Sequence, residues 1–284
     1  MKNSQTETIV EPTGGWRFLD WRELWAYRDL LWLLVWRDFV ARYKQTILGP
    51  LWFIVQPLLT TLVFTMVFNR FAKIPTSGIA PVLFYQCGLL GWNYFSQTFQ
   101  STATTLTSNA SLFGKVYFPR LIIPIAGVVS NLTAFAIQLL TFGVIYVIFA
   151  FMPDGLGAAH VSWDIVFLPL VVLQIGLFSL GAGLWLAALT AKFRDFVVLA
   201  TFLVQLWMYA TPVIYPLVQV PAHWRTLVAL NPMTMPVECL RHMLLGTGSV
   251  GPHLLMLSLG MTLLTIVSGI FMFKRVEKSF VDII

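Results

Sequence analysis

Leu254-Leu-Met-Leu-Ser-Leu-Gly-Met-Thr-Leu-Leu-Thr-Ile-Val-Ser-Gly-Ile-Phe-Met-Phe273 carries no charge and is closed by Lys274 and Arg275. In a helix about 20 such residues reach roughly 30 Å, the thickness of a bilayer's hydrocarbon core. No water is available there for exposed peptide groups, so a spanning segment must bond its own backbone. A transmembrane β-strand would alternate apolar and polar residues over about ten positions. Neither this stretch nor Phe196–Tyr209 alternates. The chain therefore reads as an all-α integral membrane protein.

Charge-free stretches run Gln45–Asn69, Ile74–Gly114, Leu121–Pro153, Ile165–Ala191, Phe196–Trp224 and His242–Phe273. One span in each predicts six transmembrane helices. The second stretch is long enough for two. Its latter half, from Gln100 to Ala110, is rich in Ser, Thr and Asn, so a single helix running out into water is expected. Fourteen Lys and Arg fall on one side of this topology and four on the other, which places both termini in the cytoplasm. The expected organisation is one domain over 1–284, with an interfacial helix over 16–44, a six-span bundle over 45–273 and a cytoplasmic tail over 274–284. Hydrophobic residues make up 58% of the chain and charged ones 11%. The net charge of +6 is set by topology and does not point to nucleic acid. Cys87 and Cys239 form no disulfide framework or metal-ligand spacing.

Between Trp16 and Lys44, Trp21, Trp25, Trp32, Trp36, Phe39 and Tyr43 share one face at helical spacing, with most charges elsewhere. Such a helix lies at headgroup depth, where indole rings settle. Two readings stay open: an anchor for the first span, or also the border of an admission site for an amphiphile from the cytoplasmic leaflet. On the other side, Pro212 and Pro216 interrupt the fifth apolar block. Short helices follow over Ala222–Leu230 and Val237–Leu245, with Glu238 and Arg241 spaced to pair. Neither can span, so they form a re-entrant hairpin in the outer leaflet or an ordinary external loop. Ser179, Gly183 and Ala187 give one face of the fourth span small residues for close helix packing.

Phe53, Thr60, Phe64 and Phe68 share a stripe on the first span, and Phe202, Gln205 and Tyr209 on the fifth. Aromatic faces with occasional amides suit sliding contact with sugar rings, but they equally suit packing. None of the six spans holds an Asp, Glu, Lys or Arg, which argues against an ion-coupled carrier. Gly114-Lys115 lacks the remaining glycine and hydroxyl of a phosphate-binding loop. Energy for transport would have to come from another subunit. His160, His223, His242 and His253 show no metal spacing, and no catalytic constellation stands out, so no enzyme is expected.

Trp36-Arg-Asp-Phe-Val-Ala-Arg-Tyr-Lys-Gln-Thr-Ile-Leu-Gly-Pro-Leu-Trp52 resembles the entrance to the first span in type 2 ABC transporter permeases of the polysaccharide export group. Lys115-Val-Tyr-Phe-Pro-Arg120 is similar to their segment between spans two and three, and Lys192-Phe-Arg-Asp-Phe196 to their turn between spans four and five, with lysine where arginine is common. Thr211-Pro-Val-Ile-Tyr-Pro216 with Leu230-Asn-Pro-Met233 resembles their outer hairpin, and Arg275-Val-Glu-Lys-Ser-Phe280 their ending.

The resemblance implies a non-catalytic permease of the bacterial inner membrane. It would form a homodimer and pair with two copies of an ATPase that binds ATP and Mg. The implied cargo is an undecaprenyl-diphosphate-linked polysaccharide such as O-antigen, capsule or teichoic acid. Trp32, Trp36, Arg37, Arg42 and Lys44 would form the gate helix and meet the lipid headgroup. The two aromatic stripes would line the channel. Lys115, Tyr117, Pro119, Arg120, Lys192 and Arg194 would couple to the ATPase. Pro212, Tyr215, Pro216, Glu238 and Arg241 would form the outer gate. Export of a drug, haem or lipid, an ion-coupled carrier and a membrane scaffold are the alternatives.

Overall fold

The computed structural model describes residues 21–44, 46–113, 118–153, 155–193 and 195–280. Among the described residues regular structure is helical, apart from one bridge between Ile79 and Gly157. The helix expected over 16–44 is two pieces, α1 (Trp21–Ala26) and α2 (Arg28–Tyr43); residues 16–20 lie outside the described residues. The break falls at Tyr27, whose φ of −98° and ψ of 20° leave the helical region.

Helix α3 (Trp52–Phe64) is the centre of the helical stretch Gly49–Phe71, which begins at Gly49-Pro50 and loosens into a π-helical turn from Thr65. Helix α4 (Pro81–Ala103) is followed by α5 (Thr105–Ser108) and α6 (Ala110–Phe113). Next come α7 (Ile122–Ala150), α8 (Leu168–Thr190) and α9 (Phe196–Ala210). The chain ends with α10 (Ala222–Ala229), α11 (Thr234–Leu245) and α12 (Pro252–Phe280). Helix α12 runs past 274, where a tail was expected. Lys274 and Arg275 fall in its last turns, where cations favour the helix dipole.

Among the described residues, four helical stretches are long and apolar enough to cross a bilayer: Gly49–Phe71, Ile122–Ala150, Trp163–Thr190 and Pro252–Glu277. Helix α9 is apolar but shorter. Helix α4 has the length but carries Gln86, Asn93, Gln97, Thr98 and Gln100. It sits at the middle of the packing, against α7, α8, α11 and α3. Of its Ser/Thr-rich end, expected to leave for water, Thr107 and Ser108 are exposed while much of the rest is covered by protein. Thr98, Thr102, Thr105 and Leu106 are all buried. Two of those hydroxyls find partners in a helix carbonyl or a neighbouring helix: Thr105 Oγ1 donates to Ser101 O at 3.1 Å, and Asn131 Nδ2 on α7 donates to Thr98 Oγ1 at 3.2 Å.

Helix α8 lies between α4 and α12. A Cβ at Gly183 would stand 2.5 Å from the Thr102 side chain, so the small face of Ser179, Gly183 and Ala187 is what brings α4 close. On the opposite side, a Cβ at Gly181 would meet the Ile266 backbone at 2.7 Å, and Gly269 lies against Gly181 in the same way. This second seam joins α8 to α12. The core beside it is aromatic: Phe95 stacks on Phe178 at 5.6 Å, and Trp207 of α9 meets both rings edge-on.

Candidate functional site

The proline-broken segment after α9 is held from beneath by α11. Arg241 is 1% exposed, and its guanidinium reaches three acceptors: Glu238 Oε1 at 2.8 Å, Val213 O at 2.7 Å and Tyr215 O at 3.2 Å. Its carbon lies 4.1 Å from the Phe84 ring centre on α4, a cation–π contact made in a dry setting. Glu238, equally buried, accepts a further bond from Ser249 N at 2.9 Å. One ion pair therefore ties the loop, α11, α4 and the approach to α12 together. Burial pushes the Arg241 pKa down, and Glu238 beside it pushes back; a guanidinium keeps its charge in such a balance. Pairing of Glu238 with Arg241 was legible from their spacing. The two backbone carbonyls and Phe84 were not, since no sequence period links positions so far apart.

Asn231 makes a second knot that sequence reasoning took only as a turn. It accepts from Trp207 Nε1 at 2.9 Å and donates to Thr211 Oγ1 at 2.8 Å, so the Asn-Pro turn is fixed to the end of α9. Pro212 and Pro216 flank the stretch that Arg241 grips. Helix α10 stays mostly exposed while α11 is buried nearly along its whole length, ending at Gly246 in a left-handed conformation (φ 69°).

The two aromatic stripes have different surroundings. On α9, Phe202, Gln205 and Tyr209 are exposed, while Ala200 and Val204 face the bundle. On the first helical stretch, Phe64 and Phe68 are half-buried, each within 6.4 Å of the Tyr85 ring. Phe53 and Thr60 are half-buried too, and Phe53 with Pro57 borders a small gap shared with Gln86 and Gln138. The exposed face of this stretch is aliphatic instead, with Leu59, Leu62, Val63 and Met66.

At the other end of the molecule, α2 rests Leu34 and Val35 on Phe118, Ile122, Ile123 and Ala126. Trp25, Trp32 and Trp36 consequently point outward and are each at least 63% exposed. Arg37 pairs with Asp38 at 2.8 Å, and Lys44 is exposed at the helix end. The Arg42 side chain, Lys115, Tyr117 and Arg194 lie outside the described residues. Pro119 is half-buried. Arg120 is engaged within the chain: it donates to Glu277 O at 2.9 Å and covers the Phe113 ring at 5.3 Å. Lys192 lies over Phe193, itself exposed.

Comparison with known proteins places these features in a lineage. The pattern of the ABC-2 type transporter family matches residues 29–245. O-antigen export system permease protein RfbA of Myxococcus xanthus is 35% identical over 214 residues, covering 75% of this chain and 78% of that protein. O-antigen export system permease protein RfbA of Klebsiella pneumoniae is 25% identical over 256 residues, covering 90% of this chain and 95% of that protein.

Proposed function

The chain belongs to the ABC-2 type transporter family, and on that premise we propose that it is the membrane permease subunit of an ATP-driven exporter of lipid-linked polysaccharide. The observation that carries this is the near full-length similarity to O-antigen export permeases. Four described stretches long and apolar enough to cross a bilayer and the absence of a phosphate-binding loop in the sequence agree with it. ATP hydrolysis then belongs to a partner subunit, which holds the Mg. The cargo is O-antigen or a related polymer on an undecaprenyl diphosphate carrier.

In this reading α4 and α9 complete a six-span bundle. The polar residues of α4 are covered by α7, α8 and α11, as non-lipid-facing positions at membrane depth require. The exposed Phe202, Gln205 and Tyr209 belong against a second copy or the passing glycan. A two-fold homodimer would place that face at a shared channel. Phe64 and Phe68 support the channel wall from behind, through Tyr85, and Phe53 and Thr60 continue their stripe. The lysine and arginine distribution supports a cytoplasmic side for α2 and the end of α12, and the family resemblance supports a bacterial inner membrane.

At the inner end, Trp32 and Trp36 face the lipid and Arg37, Arg42 and Lys44 supply cations suited to a diphosphate. Arg120 acts as a positioning residue, anchoring the loop before α7 to α12 so that Lys115 and Tyr117 can meet the ATPase. Lys192 and Arg194 make the second cytoplasmic contact. At the outer end, α10 and α11 form a re-entrant hairpin. Because Arg241 grips Val213 and Tyr215, the outer gate and α11 are a single body.

The test is ATP hydrolysis by the permease purified with the ATPase co-expressed from its operon, with and without lipid-linked glycan. Glycan-dependent hydrolysis is expected. A complex indifferent to glycan overturns the cargo, and a permease that retains no ATPase overturns the transporter reading.

A further inference from the structure

Between α8 and α12, beneath α11, lies a cleft of about 780 Å³. Its walls include Leu170, Leu173, Leu259 and Leu263, all exposed. Its floor includes Gln174 and Thr262, both buried, but their polar groups are turned into the protein. Gln174 Nε2 donates to Ser258 Oγ at 2.8 Å, Ser258 Oγ donates to Pro232 O at 2.8 Å, and Thr262 Oγ1 donates to Ser258 O at 2.8 Å. The surface left for an occupant is mostly hydrocarbon. The mouth differs: Asp164 and His242 meet there at 3.0 Å, with side chains 49% and 38% exposed.

Length and charge together select the occupant. From Asp164 to Leu177 the helical rise is about 20 Å, and half of a bilayer's hydrocarbon core is about 15 Å. The cleft thus runs from headgroup level to about the midplane, the reach of one acyl chain in one leaflet. A carboxylate stands at the mouth and no Lys or Arg lines the cleft, which disfavours an anionic headgroup and complements an ammonium.

We propose that this cleft binds one acyl chain of an amine-bearing phospholipid from the leaflet that contacts α11, with the lipid ammonium on Asp164. The chain fills the seam behind Cys239 and Met243, so the lipid buttresses the hairpin from its membrane side. This needs only that the bundle spans a bilayer, and it stands apart from the identity of the exported cargo.

The test uses the assembled transporter in bilayers that contain a trace of phosphatidylethanolamine or phosphatidylglycerol with a photoreactive group at mid-chain. Irradiation and peptide mass spectrometry then map the attachment sites. Phosphatidylethanolamine should label Leu170, Leu173, Leu259 and Leu263 well above the exposed Leu140, Val144 and Val147 of α7. Its excess over phosphatidylglycerol in the cleft should reach up to about fivefold, the scale of one solvent-exposed charge pair. D164N should erase that excess, and Leu259→Trp should bring cleft labelling down to the α7 level. Labelling of α7 equal to the cleft in the unaltered protein overturns the proposal without any variant. Equal labelling by both lipids in the cleft overturns the headgroup assignment.

Discussion

The two ends of this bundle are fastened by different physics. At the α11 end, a buried ion pair reaches backbone carbonyls and a half-buried asparagine turn ties side chains together, with Arg241 and Glu238 almost out of contact with solvent. At the α2 end, aliphatic side chains rest on α7, the charges pair locally at the surface, and the tryptophans face outward. Directional bonds in a dry setting permit one arrangement; apolar contact permits sliding. The difference teaches that the α11 end is fixed in shape, while the α2 end is free to yield.

The largest test of this contrast is Arg241→Ala. Glu238 would be left buried and unpaired, at a cost of about 3–5 kcal/mol, and the thermal midpoint in detergent should fall or assembly should be lost. Replacing both residues by leucine should recover part of that loss, since an unpaired buried charge is worse than none. Gly183→Leu should come next, costing about 1–3 kcal/mol by overpacking, because even a Cβ at this position would collide with Thr102. The same thermal assay measures it. Asn231→Ala should be milder, about 0.6–1.7 kcal/mol for hydrogen bonds in a membrane protein. Arg37→Ala should be the smallest, within about 1 kcal/mol for an exposed pair, yet glycan-stimulated ATP hydrolysis should drop. A large stability loss for Arg37→Ala, or none for Arg241→Ala, would reverse the assignment of fixed and yielding ends.

Much of this contrast was legible in the sequence. Uncharged stretches such as Leu254–Phe273 declare the class, and the spacing of Glu238 and Arg241 declares their pairing. Ser179, Gly183 and Ala187 announced a close helix approach that Thr102 then supplied. What stayed hidden was which neighbour covers each face. Periodicity groups Phe64 with Phe68 but cannot reveal Tyr85 behind them. Hydroxyl content suggested that the end of α4 leaves for water; Thr107 and Ser108 are exposed, but Thr105 returns its hydrogen bond to Ser101 of α4 and stays buried. The seam of Gly181 and Gly269 needs two distant glycines in register, and the break at Tyr27 has no proline or glycine to mark it.

Amide hydrogen exchange on the assembled transporter, at rest and turning over ATP with lipid-linked glycan, tests the central claim most directly. Local opening reports where a structure yields. The account predicts slow exchange in α11 and at Ser249 in both states, with α2 and the residues from 104 to 113 changing on turnover. Exchange that rises in α11 while α2 stays unchanged would contradict it.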